Sequence, residues 1–318
     1  MRASAKHFCK SLGPIFRSRH SINRPERYSM KTPPSKVCTR YTEHYLSVDS
    51  VRIPAIARCW EISDAAAEKL AQSDDIMPLL CLRKLTVKVA RHLATSNAKM
   101  LCLDSLDRIS NAALEALVEF KGDYLSIGLL KLSDEQAEIL SGYSANDTHQ
   151  TLALNGLSEL TPTAADHLNQ MAPKKKLGLI LDLNGLPELS DKTADALRNF
   201  GVNLKKERYP RLGLDGITAL SPHAAQCLVE IPGACGLDLA SVRTLSVEAC
   251  EHLASKKHTS DYRIEGLDSL SVEAAEVLAK SKCQIYINVS PLADEVVAAL
   301  ETGRELSLTT DTGWHGDD

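Results

Sequence analysis

Aromatic side chains are scarce in this chain, only 4% of its 318 residues. Nor does any apolar run approach the roughly 18 to 20 residues that cross a bilayer, so a soluble chain without a membrane span is expected. The nine cysteines (Cys9, Cys38, Cys59, Cys81, Cys102, Cys227, Cys235, Cys250 and Cys283) never form a C-x-x-C pair, which excludes a zinc ribbon and a dithiol redox motif. Their odd number and dispersal suit unpaired thiols in a reducing compartment, where cysteine acts as a small buried hydrophobe. A cytoplasmic protein is expected. A glycine-rich phosphate loop, H-E-x-x-H and G-x-S-x-G are all missing. His92, His167 and His252 each fall six residues after a recurring anchor position, in separate units, and do not converge. Composition and motifs therefore name no catalytic residue, no metal ligand and no cofactor, and an enzyme is not expected.

What is present suffices for a folded core. Apolar residues make up 44% of the chain and charged residues 25%, which excludes wholesale disorder and a collagen-like fibre. The net charge of −4 is unevenly placed: ten Lys/Arg stand against the single acid Glu26 up to Thr42, leaving about −13 for the remainder. Residues 1–42 carry Pro33-Pro34 and little apolar periodicity and read as a flexible basic arm. An organellar transit peptide and a misassigned start are the other readings of this segment. Phe8, Leu12, Ile15 and Phe16 are too interrupted for the apolar stretch of a secretory signal.

The strongest signal is an internal repeat. The segment Leu152-Ala-Leu-Asn-Gly-Leu157, followed by Leu160, Thr161, Ala164, Ala165 and Leu168, returns at 181–197, 212–228, 237–253 and 263–278 as L-x-L-x-G-L-x-x-L-S-x-x-A-A-x-x-L with substitutions. Weaker copies bring the total to ten units, the first beginning near Leu46. The Ser/Thr anchor stands at Ser63, Thr86, Ser110, Ser133, Thr161, Ser190, Ser221, Ser246 and Ser271, with Ala293 in the tenth unit, at spacings of 22 to 31 residues. Upstream, apolar residues alternate, as at Leu181 and Leu183 or Leu237 and Leu239, which predicts a strand. Downstream they fall at plus three, plus four and plus seven, as at Ala274, Ala275 and Leu278, which predicts one buried helical face.

The anchor is an N-cap, because a Ser or Thr hydroxyl accepts a hydrogen bond from an orphan amide of the first helical turn. Pro162 and Pro222 follow their anchors, where proline loses no intrahelical bond. Asp64, Asp134, Glu135, Asp191, Glu248 and Glu273 place negative charge near the helix's positive end. Helices of two to three turns are marginal alone, so stacking supplies the stability.

On these motifs the chain resembles the leucine-rich-repeat family, specifically a short bacterial variant with alanine-rich helices, over roughly residues 43 to 309. The family's usual Asn, three residues past the second strand leucine, is replaced here by Leu106, Leu157, Leu186, Ile217, Val242 and Leu267. The preceding glycines Gly156, Gly185, Gly216 and Gly266 are expected to supply the bend. The resemblance implies an α/β solenoid over residues 43–318: a curved stack of about ten strand–helix repeats, with a parallel sheet on the concave face and helices outside, usually used to bind proteins. Trp60 and the final strand Leu306-Ser-Leu308 are candidate end caps.

Two surfaces follow from this layout. Residues between the strand leucines point outward in two columns. From them Asp104, Asn155, Asp182, Asn184, Asp215, Asp238, Arg263, Glu265 and Tyr286 are the candidate partner-binding residues on the concave face. Asp182, Asn184, Asp215 and Asp238 would make an acidic patch for a cationic partner segment, or simply solvate an exposed sheet. The helix-leaving loops carry Lys174, Lys175, Lys176, Lys205, Lys206, Arg208, Lys256 and Lys257, a basic ridge that would meet phosphate or acidic protein, or only favour helix C-termini. Binding to another protein is the leading expectation. Nucleic-acid or anionic-surface binding through arm and ridge is the alternative, weakened by the lack of aromatic interleaving.

Overall fold

The computed structural model describes residues 60–72, 77–145, 149–171, 178–202, 204, 210–232, 236–256 and 261–310. The basic arm 1–42 and the first repeat strand near Leu46 lie outside the described residues. After helix α1 (Asp64–Leu70), strands and helices alternate without exception. They are β1 (Met77–Pro78), α2 (Val87–Ala94), β2 (Met100–Leu103), α3 (Asn111–Leu117), β3 (Tyr124–Ile127) and α4 (Asp134–Ser141). There follow β4 (His149–Ala153), α5 (Pro162–Leu168), β5 (Gly178–Asp182), α6 (Asp191–Leu197), β6 (Pro210–Gly213), α7 (Pro222–Glu230) and β7 (Gly236–Asp238). The chain then forms α8 (Val247–Ser255), β8 (Asp261–Ile264), α9 (Val272–Leu278), β9 (Gln284–Asn288), α10 (Asp294–Leu300) and β10 (Leu306–Thr309). The ten strands make one parallel sheet in sequence order. It is a leucine-rich-repeat-like α/β solenoid. Strands stack about 4.8 Å apart whereas packed helices need about 8 to 10 Å, so the sheet lies on the inner, concave arc.

Each anchor acts as the sequence requires. Ser63, Thr86, Ser110, Ser133, Thr161, Ser190, Ser221, Ser246 and Ser271 all have extended backbone and accept a hydrogen bond from the amide three residues on. Ala293 has no side chain to do so. Two hydroxyls also tie neighbouring repeats: Ser221 Oγ donates to Asp191 Oδ1 at 2.6 Å, and Thr161 Oγ1 donates to Asp134 Oδ1. The core runs the length of the stack as two walls. Strand leucines such as Leu181, Leu183, Leu237 and Leu239 meet the helical Ala-Ala-Leu faces, with Ala224, Ala225, Leu228, Ala274, Ala275 and Leu278 all fully buried.

Three expectations change. The glycines of the repeat are needed for clearance and not for unusual dihedrals: a Cβ on Gly185 would fall on the Asn155 carbonyl oxygen, and one on Gly216 on carbonyls of Asn184 and Leu186. Among the described residues the one glycine with positive φ is Gly201, outside the motif. At the N-terminal edge the alternation of the repeat sets Cys81 beside Cys102 and Arg83 beside Asp104, but Pro78 pairs with Cys102, a difference of three residues that leaves Cys81 and Arg83 past the strand. Finally, Cys81 is disulfide-bonded. The reading of nine unpaired thiols fails there, and the reducing compartment loses that support.

The end caps are modest. Trp60 is half exposed, with the Arg83 guanidinium 5.2 Å from its ring centroid and its carbonyl accepting the Arg83 amide. The last strand, β10, is partly buried along its length. No helix among the described residues is long and apolar enough to cross a membrane.

Leu183 is a fully buried inward position, so Leu183→Ala should cost about 2 to 5 kcal/mol. Gly185→Ala should also destabilise, by displacing the neighbouring repeat's backbone. Urea unfolding of both variants checks this, and a wild-type midpoint for either would refute the packing described.

Candidate functional site

The sheet face is organised by register. Ala153, Asp182, Gly213, Asp238, Arg263, Tyr286 and Ser307 stand side by side across β4 to β10. Four of the candidate residues, Asp182, Asp238, Arg263 and Tyr286, thus fall on one row. Its centre is not a bare acidic patch. Arg211, from the neighbouring row of β6, grips Asp238 with Nε to Oδ2 at 2.8 Å and Nη2 to Oδ1 at 2.7 Å. From the other side Arg263 Nε approaches Asp238 Oδ1 at 3.7 Å, and the Arg263 guanidinium lies 5.6 Å from the Tyr286 ring centroid. A two-pronged guanidinium–carboxylate pair fixes orientation as well as charge. Asp238 and Arg263 keep only about a sixth of their side-chain surface exposed. The face here is a pre-set, mixed-charge strip ending in an aromatic ring.

Gly213 leaves a gap beside this strip that side chains of the preceding repeat fill. A Cβ there would come within 2.7 Å of both Asn184 Oδ1 and Asp182 Oδ1, so side chains of the preceding repeat lean across β6.

Three other candidates do something different. Just past the strands, Asn155 Oδ1 accepts the amide of Asn184 at 3.2 Å, Asn184 Oδ1 accepts that of Asp215 at 3.0 Å, and Asp215 Oδ1 accepts that of Ala240 at 3.1 Å. This is a side-chain ladder that continues hydrogen bonding where the strands stop. It corrects two expectations. The stack has an Asn/Asp ladder after all, two residues before the aliphatic column, and these side chains hold backbone in addition to facing the concave side. Asp215 is buried. The ladder ends at Ala240, whose side chain has no acceptor. Asp104, on the N-terminal half, accepts a hydrogen bond from Ser126 Oγ, while Glu265 is exposed at the end of β8.

The basic ridge is mostly beyond view: Lys174, Lys175, Lys176, Lys205, Lys206, Arg208 and Lys257 lie outside the described residues. Lys256 is described, and it points inward. It is buried, with Nζ donating to the Ile231 carbonyl at 2.8 Å, because it closes the inter-repeat turn instead of meeting solvent. His92, His167 and His252 are partly buried and stay in separate repeats.

On the opposite, helical face the fold makes a constellation that no local motif announces. Asp195 on α6 and His223 and Cys227 on α7 converge: His223 Nε2 lies 3.2 Å from Asp195 Oδ2 and 3.5 Å from Cys227 Sγ, and Cys227 Sγ lies 3.3 Å from Asp195 Oδ1. The available signal was His and Cys four residues apart on one helix, one repeat after an Asp at plus five. The hydrogen bond from His223, with that from Cys227 behind it, holds the Asp195 carboxyl below the usual range. Burial chiefly, with the hydrogen bond to Asp195, pushes the Cys227 thiol up. A raised thiol is not an activated nucleophile.

No family model matches the chain, and no curated protein matches it. Among solved structures, an internalin from Listeria monocytogenes is similar over 77% of this chain and 70% of its own, with 13% sequence identity and a TM-score of 0.39. The assignment of the fold rests on the ten-stranded parallel sheet and its alternating helices.

The ladder predicts a stability effect at a concave-face residue. Asn184→Ala leaves the partly buried Asp215 amide without its acceptor and should cost about 1 to 3 kcal/mol, whereas Asn184→Asp keeps an oxygen there and should cost less. Chemical denaturation of the two variants decides; equal and negligible effects would remove the ladder's structural role.

Proposed function

We propose that the chain is a non-catalytic protein-binding module, and that a partner seats on the concave sheet over β6 to β9. The carrying observation is the strip Arg211, Asp238, Arg263 and Tyr286, held in one arrangement by its own contacts. Binding hot spots are enriched in Arg and Tyr, and side chains already ordered lose less entropy on association. Asp182 and Glu265 border the strip and complete a mixed-charge surface. A partner segment would place an apolar or aromatic group on Tyr286 and an acidic group near the two guanidinium groups. Asp104, Asn155, Asn184 and Asp215 are assigned a supporting part, the last three through the backbone ladder.

The alternative, an anionic polymer or surface bound by the arm and ridge, is less favoured because Lys256 is turned into the core. Salt separates the two. Phosphate-driven binding falls steeply as salt rises, whereas an interface centred on Tyr286 should be less sensitive.

The test is quantitative capture with immobilised full-length chain, comparing wild type with Tyr286→Ala and Arg263→Ala after both are shown to unfold near the wild-type midpoint. Partners bound through this strip should be retained about tenfold more weakly by either variant, as expected for a hot spot costing about 1.4 kcal/mol. Identical retention by all three proteins would discard the strip.

A further inference from the structure

We propose that Asp195, His223 and Cys227 form a binding site for a borderline-soft divalent cation, Zn2+ fitting best, on the helical face between α6 and α7. The donor set is the first argument. One thiolate, one imidazole and one carboxylate suit zinc, whereas calcium and magnesium require oxygen ligands.

The spacing is the second argument. Zinc bonds of about 2.3 Å to sulfur and about 2.0 to 2.1 Å to nitrogen and oxygen place neighbouring vertices of a tetrahedron about 3.3 to 3.6 Å apart. Here the Cys227 sulfur and His223 Nε2 are 3.5 Å apart, Asp195 Oδ1 lies 3.3 Å from the sulfur and Asp195 Oδ2 lies 3.2 Å from Nε2; one donor atom from each residue falls within 4.8 Å of the other two, and a turn of the carboxylate sets a single oxygen against both. The third argument is direction. In a Cys-His-Asp catalytic relay the carboxylate holds one ring nitrogen while the other faces the sulfur. Here Asp195 and Cys227 both face Nε2 of His223, which suits one ion with three donors around it and not proton relay. Rigid elements supply all three: His223 and Cys227 lie one turn apart on α7, and Asp195 lies on the adjacent α6. The side chains of Asp195 and His223 remain nearly half exposed, which leaves an entry path and a fourth position for water.

Arg198 competes for this place. Its Nη2 donates to Asp195 Oδ1 and lies 3.6 Å from Cys227 Sγ, while Nη1 lies 3.3 Å from Glu230 Oε2. An incoming ion displaces the guanidinium from the carboxylate and sulfur; Glu230 offers it a second partner. The Cys227 S–H bond breaks, sulfur keeps the electron pair to bond the metal, and the proton passes to solvent.

The full-length chain, stripped with chelator and kept reduced, is titrated with Co2+ and followed by absorbance, with Zn2+ added afterwards. The expected result is one equivalent of Co2+ giving a thiolate-to-cobalt charge-transfer band and strong visible bands of a tetrahedral site, both removed by Zn2+. Cys227→Ser should abolish the charge-transfer band. His223→Ala and Asp195→Asn, at exposed positions that should not disturb folding, should each weaken binding about tenfold or more, the size of effect seen even for outer partners of metal ligands. Arg198→Ala should bind more tightly than wild type, a gain that a purely structural role of Asp195 would not produce. Absence of the band in wild type, or a band of unchanged affinity in His223→Ala and Asp195→Asn, would overturn the site even if Cys227→Ser failed to fold.

Discussion

Every repeat must present its strand about 4.8 Å from the next, and from this spacing the other features follow. Two backbones so close leave no space for a Cβ at the turn after the strand, hence Gly156, Gly185, Gly216 and Gly266. The helices, wider than the strand spacing, are kept near the sheet by alanine at the two central buried positions, so that Ala224-Ala225 and Ala274-Ala275 have no exposed surface at all. Short helices of 7 to 9 residues cannot carry their nucleation cost alone. Their hydroxyl caps and the neighbouring repeats together supply what length does not.

The same spacing explains why some of the molecule could be read from its sequence. An N-cap is a local event, decided within four residues, and all nine Ser/Thr anchors from Ser63 to Ser271 cap as expected. Alternation of Leu181 and Leu183 is likewise local. What escaped reading depends on repeats being superposed at the right offset. Asn155, Asn184 and Asp215 are 29 and 31 residues apart, and nothing within one unit reveals that each side chain serves the next unit's amide. The Arg211–Asp238 pair was hidden for the same reason, joining different rows of adjacent strands. At β1 the unit is atypical and the strand only two residues long, so alternation could not fix its register.

The helical cluster shows the limit more sharply. Metal and catalytic motifs are local in the chain, and His223 with Cys227 makes half a motif on one helical turn. The missing half, Asp195, comes from the preceding helix through the solenoid's own translation. A repeat fold manufactures such lateral groups wherever two units place chemically competent residues at matching helical positions, here plus five, plus two and plus six from their anchors.

The two faces are therefore constrained to different degrees. On the concave side, Asn155, Asn184 and Asp215 are committed to the backbone, and Gly213 to clearance, so change there is felt by the stack. Arg263 and Tyr286 sit one and two repeats beyond the end of that ladder, which stops at Ala240, and their side-chain contacts are with each other and Asp238. Substitution there need not loosen the solenoid. Under the proposed reading, recognition resides where the sheet is ordered by side-chain contacts yet not held together by them. This accounts for the placement of the strip toward the C-terminal half, and it allows a binding defect to be separated from a folding defect by mutation at single positions.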